Sequence, residues 1–391
     1  MACDSDMGKR LKEKFTKVSP TNTASAGEIY LNNRHAAEFF AGIGLVRTAL
    51  EQAGWSVAFA NDIAPKKFHI YRDNFGAEDF RLGDIQKISG SSVPTVALAT
   101  ASFPCIDLSL AGNRSGLNGQ HSSAYWEFHR ILKEMRGRRP PLVLLENVVG
   151  LLSSNGGQDI RNIVKSLGRL GYYCDLLLVD AVRFIPQSRP RLFLIASVWP
   201  QITDISRLPP HEARPHAVSD FIKSCPQLPW SHTLLPPLPA RKQDLCDLVQ
   251  RFKPSSPLWW DSYRQRHLYR QMSKLHKLRL AESVKQRRTS FATVYKRVRP
   301  SGCRAEVRMD GIAGCLRTPR GGSSKQFLIQ AGYGKWRVRN LTAREYARLQ
   351  GVSDSFQLNV PYNQALYGFG DAVCVPAVEW VIKYAINPML A

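Results

Sequence analysis

The apolar run Thr95–Ser102 leads directly into Phe103-Pro104-Cys105-Ile106-Asp107. A cysteine at a strand end, in a proline-containing turn, faces a ligand crevice and suits a nucleophile if local cations or helix N-termini stabilise its thiolate. Without them it is a small, inert core residue. The next apolar run, Leu142–Leu145, ends in Glu146-Asn147-Val148. A carboxylate closing an apolar strand is costly if buried, ionised and unpaired. Glu146 is therefore protonated, partnered or turned to the same crevice. Gln187-Ser188-Arg189-Pro190-Arg191 then sets two guanidinium groups before a further run, fit for a phosphate or for holding a substrate carbonyl.

A second group of residues suits a nucleoside. Phe40-Ala41-Gly42-Ile43-Gly44 reads as a strand-to-helix turn whose glycines let the backbone approach a ligand and whose helix start offers free N–H groups. The following strand ends in Asn61-Asp62, where a carboxylate can accept hydrogen bonds from ribose hydroxyls. The missing third glycine and the absence of a Lys-Ser/Thr pair argue against a dinucleotide or a triphosphate. Asp84, in Gly83-Asp84-Ile85, suits an adenine amino group, or equally the cap of a turn.

The elements that must position these groups alternate. Ala36–Phe40 is a short apolar run, followed by Val46, Ala49, Leu50 and Ala53 at helical spacing up to Gly54. Ser56–Ala60 reads as a strand and Pro65–Asn74 as a helix. Ser123–Met135 and the Ile160/Ile163/Val164/Leu167 set read as helices, and Tyr172–Val179 and Arg191–Val198 as strands. This pattern predicts an α/β fold with a mostly parallel, doubly wound sheet and ligands at the carboxyl ends of its strands. Farther on, Thr342-Ala343-Arg344-Glu345 is a capping box, and Pro376–Ile386 reads as a last helix.

Between these parts lies a different composition. Residues 201–340 hold 27 Lys/Arg against 9 Asp/Glu, a net +18 of the whole chain's +23. Trp259, Trp260, Tyr263, Tyr269, Tyr295 and Trp336 are interleaved with the cations, as a nucleic-acid surface requires. Eleven prolines between Pro200 and Pro257 mark a loop-rich entry. We therefore expect a polar extension at 1–35, a first catalytic part at 36–199, a basic insert at 200–335 and a returning part at 336–391. The eight cysteines form no C-x-x-C pair, so neither a disulfide framework nor a structural metal site is expected. The apolar runs are strand-length and the N-terminus lacks a signal core, so we expect no membrane association and a cytoplasmic location.

The ordered set FAGIG, ND, GDI, FPC, ENV, QSRPR, LTAREYARLQG and GFGDAVCVPA resembles the C5-cytosine DNA methyltransferases, over about residues 36–199 and 336–386. The resemblance implies a class I, Rossmann-like S-adenosylmethionine-dependent domain, without a metal, in which a small target-recognition domain is inserted. It implies that Phe40 stacks on the adenine and that Ala41, Gly42 and Gly44 form the methionine-side turn. Asp62 with Ile63 would meet the ribose, Asp84 with Ile85 the adenine, and Asp371 would lie beside the cofactor. Cys105 would be the covalent nucleophile and Pro104 its neighbour. Glu146 would hold the cytosine, and Arg189 and Arg191 would orient the base and the active-site loop.

Three departures from the family pattern stand out. Ile106 follows the nucleophile in place of a polar residue, Gly370-Asp371 replaces Gly-Asn, and Cys315-Leu316 replaces Thr-Leu. Arg317, Arg320, Ser323 and Lys325, in the run after Cys315, are the candidate base- or phosphate-contacting residues. The expected partner is double-stranded DNA, bound by a monomer, with a cognate restriction or defence protein alongside. The alternatives are a tRNA cytosine methyltransferase, whose family insert is smaller and less basic, and a non-catalytic DNA-binding protein.

Overall fold

The computed structural model describes residues 34–104, 123–300, 302–319 and 325–390. Cys105, Ile106, Arg320 and Ser323, and nearly all of the expected 1–35 extension, lie outside them.

Seven strands build the larger sheet: β1 (His35–Phe39), β2 (Ser56–Asp62), β3 (Phe80–Leu82), β4 (Leu98–Ala101), β5 (Leu142–Val148), β6 (Tyr173–Asp180) and β7 (Pro190–Ser197), in the order β3-β2-β1-β4-β5-β7-β6. From β3 to β5 every neighbouring pair is parallel. The chain winds outward from β1 to β3, then crosses back to β4 on the other side of β1. The strand order therefore reverses between β1 and β4, where the crevice for a ligand opens at the carboxyl ends. The Phe40–Gly44 turn and the Phe103-Pro104 turn leave these two strands side by side, with Phe39 in register with Ala101.

One strand breaks the parallel run of this mostly parallel sheet: β7 runs antiparallel to both β5 and β6. Residues 181–189 join β6 to β7, fewer than the roughly dozen residues a parallel crossover requires, so the chain folds straight back.

Side chains alternate across the sheet into two cores. Ala36, Leu142, Leu144 and Ile195 face one core with the Leu45–Gln52 and Val375–Val381 helices. Ala37, Val143, Leu145 and Leu194 face the other with Ser123–Glu134 and Gln158–Arg169. Ile160, Ile163, Val164 and Leu167 are fully buried along one stripe of the last of these helices. At roughly 1.5–3 kcal/mol for each buried side chain, the stripe and not helix propensity holds it. The Tyr362–Leu390 helical segment is long and apolar enough by composition to cross a membrane, longer than the strand-length runs read from the sequence. However, 72% of its most apolar stretch is buried inside the fold, as a core element requires.

Four antiparallel strands form a second sheet: β8 (Ser290–Arg299), β9 (Gly302–Arg308), β10 (Gln326–Gly332) and β11 (Lys335–Asn340), ordered β11-β10-β8-β9. Its own core includes Leu268 and Leu280 from the covering helices Ser262–Gln271 and Lys274–Lys285, and Met272 between them. Strand β11 spans position 336. The proline-rich stretch packs on the larger sheet: Val218, Phe221 and Trp230 join one of its cores, and Leu238, Leu245 and Val249 the other. Some of the interleaved aromatics serve packing. Trp260 and Trp336 lie against the small core, and Arg337 and Arg339 stack on Trp259, whereas Tyr263 is 73% exposed.

Arg339 in β11 meets Glu345 through both carboxylate oxygens, at 2.7 and 2.5 Å, and both side chains are 1% exposed. Glu345 also completes the capping box with Thr342. Arg339→Ala strands that carboxylate, so we expect a loss of about 3–5 kcal/mol in unfolding free energy, read by denaturant titration. Glu345→Gln added to it recovers part of the loss by removing the stranded charge.

Candidate active site

Phe40, Gly42 and Gly44 all adopt positive φ, at 58°, 59° and 84°. A side chain at Gly44 would collide with the Phe75 ring at 2.3 Å, whereas Gly42 has nothing closer than the Phe40 carbonyl at 3.9 Å and Lys67 Cδ at 4.0 Å. The first glycine leaves an open cradle and the second allows close helix packing. Asp62 fastens the turn: its Oδ2 accepts from Gly42 N at 2.9 Å and its Oδ1 from Ala64 N at 2.8 Å. Each oxygen keeps a lone pair for a further donor.

Asn61 holds the neighbouring loop, its Nδ2 donating to the carbonyls of Arg81 and Gly83. Asp84 caps the short Ile85–Lys87 turn by accepting from Gln86 N at 3.0 Å. Ala41 and Ile85 are buried, whereas Ile63 is 64% and Leu82 45% exposed. Two exposed aliphatic side chains beside two carboxylates, next to an open glycine cradle, fit a flat heterocycle carrying a ribose.

The sequence reading missed Glu38. It lies in β1, inside the apolar run Ala36–Phe40, it is 1% exposed, and neither oxygen has a hydrogen-bond partner among the described residues. Burial pushes its pKa up to about 8, against the pull of the Arg47 charge. An acid inside an apolar strand just before a glycine turn was the available signal.

On the other side of the switch point, Phe103 is buried and Pro104 exposed. Asn147 Nδ2 donates to the Phe103 carbonyl at 3.1 Å, tying the end of β5 to the turn that leads into Cys105. Glu146 Oε1 lies 2.9 Å from Arg191 Nε. Strand direction makes this pair: because β7 runs antiparallel to β5, its first residues lie beside the last residues of β5.

Arg189 points elsewhere. It is 2% exposed, and its guanidinium donates to the carbonyls of Leu316, Gly370 and Ala372 and to Cys315 Sγ. It joins the end of the insert to the last motif, a positioning task. Gln187 and Gln350, both fully buried, extend this lock: Gln187 accepts from Leu316 N and donates to the Leu349 carbonyl and to Gln350. These amides were not singled out in the sequence, since nothing local distinguishes a buried glutamine.

The lock brings Cys315 among Arg189, Arg191 and Arg317. Burial raises its pKa, but the three guanidinium groups outweigh burial and hold the thiol below its ordinary value. Arg317 is exposed at this rim. Lys325 Nζ donates to Asn363 Oδ1 at 2.9 Å. Asp371 pairs with Lys67 at 2.9 Å. Among the described residues no group of three or more His, Cys, Asp or Glu could hold a metal ion.

Residues 35–387 match the family model described as C-5 cytosine-specific DNA methylase. The Type II methyltransferase M.NgoBI of Neisseria gonorrhoeae is 26% identical over 346 residues, covering 88% of this chain and 90% of its own. M.HaeII of Haemophilus aegyptius is 25% identical over 353 residues, covering 90% and 92%. Among solved structures, S. pombe Dnmt2 methyltransferase aligns with a TM-score of 0.58 at 18% identity, over 91% of this chain and 99% of that one. A Spodoptera frugiperda DNMT2 variant aligns at 0.61 and 14%, over 90% and 99%. At such identities the structural likeness speaks for the fold.

Proposed function

The chain belongs to the C-5 cytosine-specific DNA methylases, and from that premise we propose that it methylates cytosine within a short sequence of double-stranded DNA, in a restriction-modification or other phage-defence setting. S-adenosylmethionine, the family's cofactor, supplies an electrophilic methyl group on its sulfonium. Phe40, Ala41, Gly42, Gly44, Asp62, Ile63, Asp84, Ile85 and Asp371 would hold it. The open cradle at Gly42 and the exposed Ile63 beside Asp62 support that assignment.

Cytosine C5 is a weak nucleophile. In the proposed reaction Cys105 adds as thiolate to C6, and Glu146 delivers a proton at N3, raising electron density at C5 so that it takes the methyl group. Methyl transfer would leave the donor as its neutral thioether; release of the C5 proton to a base, return of the N3 proton to Glu146 and expulsion of Cys105 as thiolate then restore the ring. A stacked base cannot present C6 to a thiolate, so the target is flipped out of the duplex. Arg191 holds the Glu146 carboxylate, and Arg189 holds the surrounding loops. Residues 200–335 form the recognition insert, with Arg317, Arg320, Ser323 and Lys325 as its candidate DNA contacts. The enzyme acts as a monomer on DNA in the cytoplasm, beside a cognate restriction or defence protein.

The observation that carries this reading is the Glu146–Arg191 contact beside the turn that Asn147 ties down. Labelled methyl groups offered with duplex DNA and with tRNA should pass to the DNA. Exclusive transfer to tRNA would sink the DNA reading, and transfer to neither would sink the enzyme.

A further inference from the structure

Asp371 is the last residue of the Tyr362–Asp371 helix, and its carboxylate lies 2.9 Å from Lys67 Nζ on the Pro65–Phe75 helix. Both helices come close to the glycine turn. A Cβ on Gly368 would come within 2.8 Å of Ile43, so the helix carrying Asp371 sits directly on the turn. Gln364 Nε2 donates to the Lys66 carbonyl at 2.8 Å, fixing one helix to the other. Lys67 Cδ is among the nearest atoms to the open side of Gly42.

Stability does not account for this pair. The side chains of Lys67 and Asp371 are 25% and 44% exposed, and ion pairs of that exposure contribute little to folding. A carboxylate at a helix C-terminus also faces the negative end of the helix dipole, where the fold disfavours it. What the pair offers is one fixed positive and one fixed negative charge, adjacent, half-exposed and at the mouth of the cradle.

An α-amino acid presents the complementary set: a carboxylate next to an ammonium. We propose that Lys67 and Asp371 are a zwitterion clamp for the amino-acid end of the cofactor. Lys67 takes the α-carboxylate and Asp371 the α-ammonium, each exchanging its partner in the free protein for the ligand. The clamp rests on the cofactor site proposed above and adds Lys67 to it. The acid at 371 is then one half of a matched pair whose other half lies on a helix after β2.

Calorimetric titration of the full chain with two ligands tests it. S-adenosylhomocysteine carries the zwitterion, and 5′-methylthioadenosine keeps the nucleoside and the sulfur but has no amino acid. Lys67→Ala and Asp371→Asn should each weaken S-adenosylhomocysteine about tenfold or more, as loss of a charge-assisted hydrogen bond does, and leave methylthioadenosine unchanged. Lys67→Arg should retain most of the affinity. Equal weakening of both ligands, or unchanged S-adenosylhomocysteine affinity, overturns the clamp. Asp62→Ala separates the two readings, since it should weaken both ligands together. If Asp62→Ala alters neither, or the wild-type chain binds neither, the cofactor site itself falls and the clamp with it.

Discussion

Cys105→Ser should abolish methyl transfer to duplex DNA, by roughly a thousandfold or more, while leaving affinity for S-adenosylhomocysteine unchanged. The serine hydroxyl is similar in size but stays protonated at neutral pH, whereas a thiol supplies a fraction of strongly nucleophilic thiolate. The residues proposed to hold the cofactor, Asp62 and the glycine turn, close β2 and follow β1. A duplex carrying 5-fluorocytosine offers a second readout, because fluorine at C5 cannot leave as a proton does and the adduct persists. The wild-type chain should form a complex that survives denaturation, and the serine variant should not. Near-normal turnover by Cys105→Ser would mean that another group attacks the base.

Glu146→Gln should lower kcat by about two to four orders of magnitude, the range in which a positioned proton donor acts. Glutamine keeps the shape of the site, and its carbonyl oxygen can still accept from Arg191, so the contact at the end of β5 survives. What it loses is a transferable proton, and with it the means of activating the ring for attack at C6. The effect should fall on kcat, with cofactor affinity and DNA affinity little changed. Equal loss of DNA binding and turnover would recast Glu146 as a residue that only holds the base. An unchanged rate would remove it from the chemistry.

The candidate residues of this site were named from the chain itself. Cys105, Glu146, Asp62 and the glycines each close an apolar run, and a run that ends in a polar residue marks a strand end from local pattern alone. The regional excess of Lys and Arg and the Thr342–Glu345 capping box are likewise local facts, and the box forms as written. Strand order, strand direction and partners far apart in sequence are different. Either arginine of Gln187–Arg191 could have faced Glu146. The antiparallel return of β7 decides for Arg191 and sends Arg189 to the carbonyls of the insert and the last motif. No local pattern ties Lys67 to Asp371, Gln187 to Gln350 or Arg339 to Glu345, nor assigns Trp260 and Trp336 to a core. Backbone periodicity and burial are set by neighbours along the chain, so composition and spacing carry them. Which charge meets which, and which amide is left inside, follows from how whole strands and helices are laid against one another.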